Sequence, residues 1–126
     1  MSPRPDADPA LSRQRGDQAE EQALSFLQAK GLRLLERNYS CRQGEIDLIM
    51  QHGDCLVFVE VRYRRNSSFG SPLESVDSHK QARLRHSAQH YLQRHPWLLA
   101  RPCRFDVVGI SGDQGRIDWL ENAFGA

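Results

Sequence analysis

Gly44-Glu45-Ile46-Asp47-Leu48-Ile49-Met50 and, after a short polar break, Leu56-Val57-Phe58-Val59-Glu60-Val61-Arg62-Tyr63 are the stretches that decide this fold. Both are rich in β-branched and aromatic residues, as strands are. His52-Gly53-Asp54 between them is a turn, so the pair reads as a hairpin. Side chains alternate across a strand. Glu45, Asp47 and Ile49 therefore share one face of the first strand, with Ile46, Leu48 and Met50 on the other. The second places Val57, Val59, Val61 and Tyr63 opposite Leu56, Phe58, Glu60 and Arg62.

Working outward, Asp17 with Glu20 forms a capping box that opens a helix, which runs to about Lys30 and stops at Gly31. Its apolar stripe is Ala23, Leu24 and Leu27, with Phe26 at the edge. Leu32 to Leu35 reads as a strand and Asn38 to Gly44 as a polar turn. Beyond the hairpin, Asn66 to Pro72 is a Ser/Gly/Pro loop and a candidate mobile segment. A second helix begins near Ser78, with Gln81 completing a capping box, and ends before Pro96. It buries Leu84, Ala88, Tyr91 and Leu92. The 3.6-residue period gathers His79, Arg83, His86, His90 and Arg94 into one band on another face. Arg104 to Ile110 and Arg116 to Leu120 complete the strands. The order α-β-β-β-α-β-β predicts an α/β (α+β) sandwich around a mixed sheet. Residues 1–15 read as a flexible lead-in and 16–126 as a single domain.

The 126 residues carry a net charge of +1, 39% hydrophobic and 26% charged side chains, with a mean hydropathy of −0.64. No apolar run approaches the roughly 18 residues of a membrane span, and Met1 to Gly16 holds no apolar h-region. Cys41, Cys55 and Cys103 match neither a disulfide framework nor a CxxC zinc site. These features predict a cytoplasmic protein without membrane or zinc. The charge is uneven: residues 1–61 sum to −3, residues 62–105 to +7 and the remainder to −3. A basic middle is a candidate footprint for nucleic acid. The alternative is a solvated face beside acidic neighbours, and the histidines from His79 to His95 read as part of that face rather than as ligands.

Three acids break the local pattern. Glu20 lies on the buried stripe of its helix, Asp47 sits between Ile46 and Leu48, and Glu60 interrupts a run of Val and Phe. Burying an ionised carboxylate is costly unless a cation or hydrogen bonds compensate it. On a hairpin, Asp47 and Glu60 can face the same side, and hard oxygen ligands of this type suit Mg²⁺ or Mn²⁺. Arg62, on the face of Glu60, is placed to hold a phosphate. The competing reading pairs Glu60 with an arginine, uses Asp47 as a turn cap and lets Glu20 reach solvent.

Gly44-Glu45-Ile46-Asp47-Leu48-Ile49 followed by Val57-Phe58-Val59-Glu60-Val61-Arg62-Tyr63-Arg64 resembles the signature of the YraN family of small bacterial proteins. Glu20-Glu21-Gln22-Ala23, Phe69-Gly70-Ser71-Pro72, Lys80-Gln81-Ala82-Arg83-Leu84, Arg104-Phe105-Asp106-Val107-Val108 and Asn122-Ala123-Phe124 match in type and order. That family is similar to the PD-(D/E)xK, restriction-endonuclease-like superfamily, closest in style to archaeal Holliday-junction resolvases. The resemblance implies a metal-dependent phosphodiesterase fold. Glu20 would be the acid of the first helix, Asp47 and Glu60 the metal ligands, and the Val61 carbonyl would complete the shell. Arg62 stands where the motif has Lys; an arginine stays charged and cannot serve as a general base. Lys80 could supply the amine instead. Lys80 and Gln81 open the helix that faces substrate.

Three functions follow. The first is a Mg²⁺- or Mn²⁺-dependent DNA endonuclease, acting on branched or damaged DNA, with Arg64, Arg65, Lys80, Gln81, Arg83 and Arg94 contacting nucleic acid. The second is a non-catalytic DNA- or RNA-binding accessory protein retaining the fold. The third is a protein-interaction domain using Tyr91, Trp97 and Trp119, although these aromatics read better as core or core-edge. The likeness to resolvases also raises a homodimer.

Overall fold

A computed structural model describes residues 9–65, 76–112 and 115–125, with side chains from Gly16 onward. The elements are α1 (Pro9–Ala29), β1 (Arg33–Cys41), β2 (Gly44–His52), β3 (Cys55–Arg64), α2 (Ser78–Arg94), β4 (Cys103–Ser111) and β5 (Arg116–Phe124), with a 3-10 turn at Pro96–Leu98. The element order is the predicted one. The five strands form one mixed sheet in the order β1-β2-β3-β4-β5. Only β3 and β4 run parallel, and α2 lies in the crossover between them, as a parallel connection requires.

The two helices cover opposite faces of the sheet. On one side Ala23, Leu24 and Leu27 of α1 pack on Leu48, Met50, Val57, Val59 and Val108. On the other, Leu84, Ala88 and Tyr91 of α2 pack on Ile46, Ile49, Leu56, Phe58 and Phe105. Strict alternation holds along β3 but fails at Asp47, because Ile46 joins the cluster of Ile49 rather than that of Leu48.

Several boundaries differ from expectation. Helix α1 starts at Pro9 rather than at the Asp17 capping box, so the helix reaches into the stretch read as a flexible lead-in. It ends as Gly31 predicts: Gly31, at φ 96°, donates to Gln28 O while Leu32 donates to Leu27 O, a Schellman closure. Strand β1 extends through the stretch read as a turn, leaving only Arg42 and Gln43 unpaired between Cys41 and Gly44. Asn38 tolerates a φ of 52° inside the strand, where its composition had suggested a turn. Asp77, not Ser78, caps α2: its Oδ1 accepts from Lys80 N, while the Gln81 amide donates to Val76 O. The loop Asn66 to Pro72 lies outside the described residues.

Tyr91 is core and Trp119 half-buried, edge-on to Phe26. Trp97 is not core: it is 70% exposed, held against His95 after the helix has ended. The basic band on α2 is only partly solvated, since His90 is half-buried and shares a hydrogen bond with the Tyr39 hydroxyl.

Candidate metal and phosphate site

Asp47 and Glu60 occupy matching positions one step beyond the last paired residues of the hairpin, Leu48 and Val59. Where the ladder stops, backbone donors and side chains become available. Val61 N accordingly donates to Asp47 Oδ2 at 2.8 Å. Val61, whose carbonyl the resemblance assigns to a metal, thus offers its amide to the neighbouring acid.

Helix α1 brings Glu20 against the same point. Carboxylate oxygens of Glu20, Glu45 and Asp47 lie within 4.8 Å of one another. Burial first, and then the charge of Glu60, push the Asp47 carboxyl up to about 8. Glu20 is raised too, by burial and then by Glu45 and Asp17, although Arg37 and Asp47 pull it down.

Glu60 is only 5% exposed. Its Oε1 lies 3.3 Å from Lys80 Nζ and 3.6 Å from Arg62 Nη1. Burial outweighs these two cations, so its carboxyl is still raised. Glu45, Asp47, Glu60, Lys80, Arg83 and Leu84 line one cavity of about 240 Å³. A second, of about 390 Å³, shares Glu45 and Asp47 and continues past Glu20, Val61 and Tyr63 toward α1.

The chemistry of this donor set is that of hard divalent cations. Carboxylates gathered this closely, with Glu20 and Asp47 raised above their ordinary range by burial and by neighbouring acids, fit Mg²⁺ or Mn²⁺. Among the described residues the cluster contains no His or Cys, so it does not resemble a zinc site.

Five of the sequence candidates therefore meet: Glu20, Asp47, Glu60, Arg62 and Lys80. Arg83 joins them, with its Nε 3.7 Å from where a Cβ on Gly44 would stand. Gln81 is engaged in capping. Arg64 ends β3 with Arg65 just beyond it, and Arg94 stands exposed at the far end of α2, close enough to Tyr39 for its charge to act on the phenol. Sequence reasoning missed Glu45 as a member. Its signal was present, because it shares a strand face with Asp47, but an exposed acid beside Gly44 reads as the rim of a turn.

Fold and site define a small α/β protein with clustered carboxylates where two antiparallel strands of a mixed sheet cease to pair. A family model described as "Uncharacterised protein family UPF0102" matches residues 19–110. A UPF0102 protein of Nitrosococcus oceani is 56% identical over 118 residues, covering 92% of this chain and 95% of its own. One from Stutzerimonas stutzeri is 53% identical over 115 residues (90% and 96%), and one from Pseudomonas fluorescens 51% over 111 residues (88% and 92%). The chain belongs to the UPF0102 family, which is the YraN family of the sequence resemblance.

Proposed function

We propose that this protein is a Mg²⁺- or Mn²⁺-dependent DNA endonuclease of the PD-(D/E)xK type. The observation that carries the reading is the convergence of Glu20, Asp47 and Glu60 from α1, β2 and β3 on two adjoining cavities, with all three carboxyls raised above their ordinary range, chiefly by burial. Glu20, Asp47 and Glu60 would hold the cation, with Glu45 beside them. When bound, a divalent cation there supplies Lewis-acid polarisation of the phosphodiester. Arg62 and Lys80 hold fixed positive charge beside Glu60, where negative charge would develop on the phosphoryl oxygens. Arg83 extends that charge along the cavity wall. Arg62 orients and stabilises rather than accepting a proton. Branched or damaged DNA is the substrate class we favour.

The test is cleavage of linear, single-stranded, flapped and four-way-junction DNA in Mg²⁺ and Mn²⁺ by wild type and Asp47→Ala, with Mn²⁺ affinity measured in parallel. The expected result is cleavage by wild type alone and loss of most Mn²⁺ binding in the variant. Equal metal affinity in both proteins overturns the reading.

A non-catalytic nucleic-acid-binding role is the second reading, and one observation favours it. The two cations nearest Glu60 are both engaged with its carboxylate. Salt-sensitive DNA binding without turnover in either metal would select it.

A further inference from the structure

Two cavities of equal size, about 240 Å³ each, one lined by the carboxylate cluster and one not, differ in chemistry. The one under α2 is lined by charges and suits a phosphate and its counter-ion. The other lies under α1, where its side-chain lining is Gln18, Gln22, Tyr63, Ser111, Ile110 and Ile117 together with Ala19. Among the described residues its lining holds no ionisable acid or base other than the tyrosine phenol. The cavity holding Glu20 and Asp47 adjoins both, sharing Glu45 and Asp47 with the first and Ala19 and Tyr63 with the second.

We infer that the uncharged cavity is a pocket for a single unpaired nucleobase whose phosphate lies at the carboxylate cluster. This rests on the nuclease reading for its choice of ligand and adds to it a specific substrate feature. A phosphate would find no cation among these side chains, and a metal ion would find no carboxylate. A flat, neutral heterocycle finds what it needs: two side-chain amides one helical turn apart, each both donor and acceptor, with an aromatic ring and aliphatic walls. About 240 Å³ is smaller than the roughly 300–1,000 Å³ of pockets for drug-sized ligands, which suits one base rather than a whole nucleotide. Gly112 helps to shape the wall, because a Cβ there would stand 2.4 Å from the Tyr63 hydroxyl, so only glycine leaves that ring in place. A base inside a duplex cannot enter such a pocket without being unstacked, and one already unpaired has less to lose.

The experiment uses the full chain in Ca²⁺, with a duplex carrying one bulged 2-aminopurine and the same duplex with that base paired. Wild type is expected to bind the bulged duplex about ten-fold more tightly and to change the 2-aminopurine fluorescence. Gln18→Ala/Gln22→Ala removes the amides and Gln22→Trp fills the space. Both positions are exposed on α1, and far-ultraviolet dichroism confirms the fold. Both variants should lose the preference and the fluorescence change while binding the paired duplex as before. A preference that survives in the variants, or is absent in wild type, overturns the pocket. Asp47→Ala separates this from the nuclease reading. Retained fluorescence change without cleavage by any protein would sink the nuclease and keep the pocket; cleavage without preference would do the reverse.

Discussion

Asp47 and Asp106 are both carboxylates set in apolar strands, and their surroundings tell them apart. Asp106, 1% exposed, accepts from Arg104 through both oxygens, from Trp119 Nε1 at 2.9 Å and from Asn122 N at 2.9 Å. It is a satisfied structural ion. Asp47 receives one backbone donor and otherwise faces other acids. Its carboxyl, raised from 3.8 to about 8, binds its proton more tightly in the folded than in the unfolded chain. The resulting stabilisation is complete below about pH 4 and is lost as pH rises through about 8. Glu20 and Glu60 are raised as well and act in the same direction. Metal-free wild type should therefore lose stability from pH 5 to pH 8. Asp47→Asn, which keeps an acceptor for Val61 N, should flatten that loss and be more stable at pH 8 by about 1 kcal/mol. Urea unfolding in EDTA at the two pH values measures both. A steeper loss in the variant would mean that Asp47 is ionised and compensated in the free protein.

At the scale of elements, α2 links stability to the site. Asp77 caps it through the Lys80 amide, in the turn that carries the Lys80 ammonium to Glu60. Asp77→Ala should cost about 1 kcal/mol of stability and, by loosening that turn, lower cleavage about ten-fold at temperatures where the protein stays folded. Asp77→Asn, which can still cap, should restore both. Cleavage unchanged in Asp77→Ala would show that Lys80 needs no fixed position. The elements legible in the sequence were those with clean periodicity: β2 and β3, the stripe of α1, and α2 up to Pro96. Strand β1 was foreshortened because it is an edge strand: Glu36, Arg37 and Ser40 pair through their backbones while composition suggests a turn. Its bulge between Leu34 and Glu36 and the positive φ of Asn38 are set by pairing with β2, which local propensity does not report. The carboxylates of the site were visible as breaks in apolar patterns. Lys80 reaching Glu60 and Glu45 reaching Glu20 depend on how α2 and α1 dock, so spacing alone could not reveal them.

Over the whole molecule, the net charge of +1 conceals an uneven arrangement that bears on the proposed binding of nucleic acid. The basic residues between 62 and 105 are carried partly on α2, where Arg83 and Arg94 are exposed on one band. Eleven residues of helix separate them, about 16 Å along the axis. Arg83 borders the carboxylate cavity and Arg94 lies toward β1 near Tyr39, so a strand entering the site along this band would meet both. Each phosphate neutralised releases counterions and contributes about 0.9 to the slope of log affinity against log salt on duplex DNA. If both arginines contact phosphates, Arg83→Ala/Arg94→Ala should lower the slope by about 1.8 and weaken binding to all sequences alike. The slope comes from fluorescence anisotropy of a labelled duplex in Ca²⁺ between 50 and 300 mM salt, a range over which surface charges are increasingly screened. An unchanged slope with intact folding would remove α2 from the nucleic-acid path and shift attention to Arg64 and Arg65 at the end of β3. A drop near one would keep Arg83 at the site and take Arg94 off the nucleic-acid path.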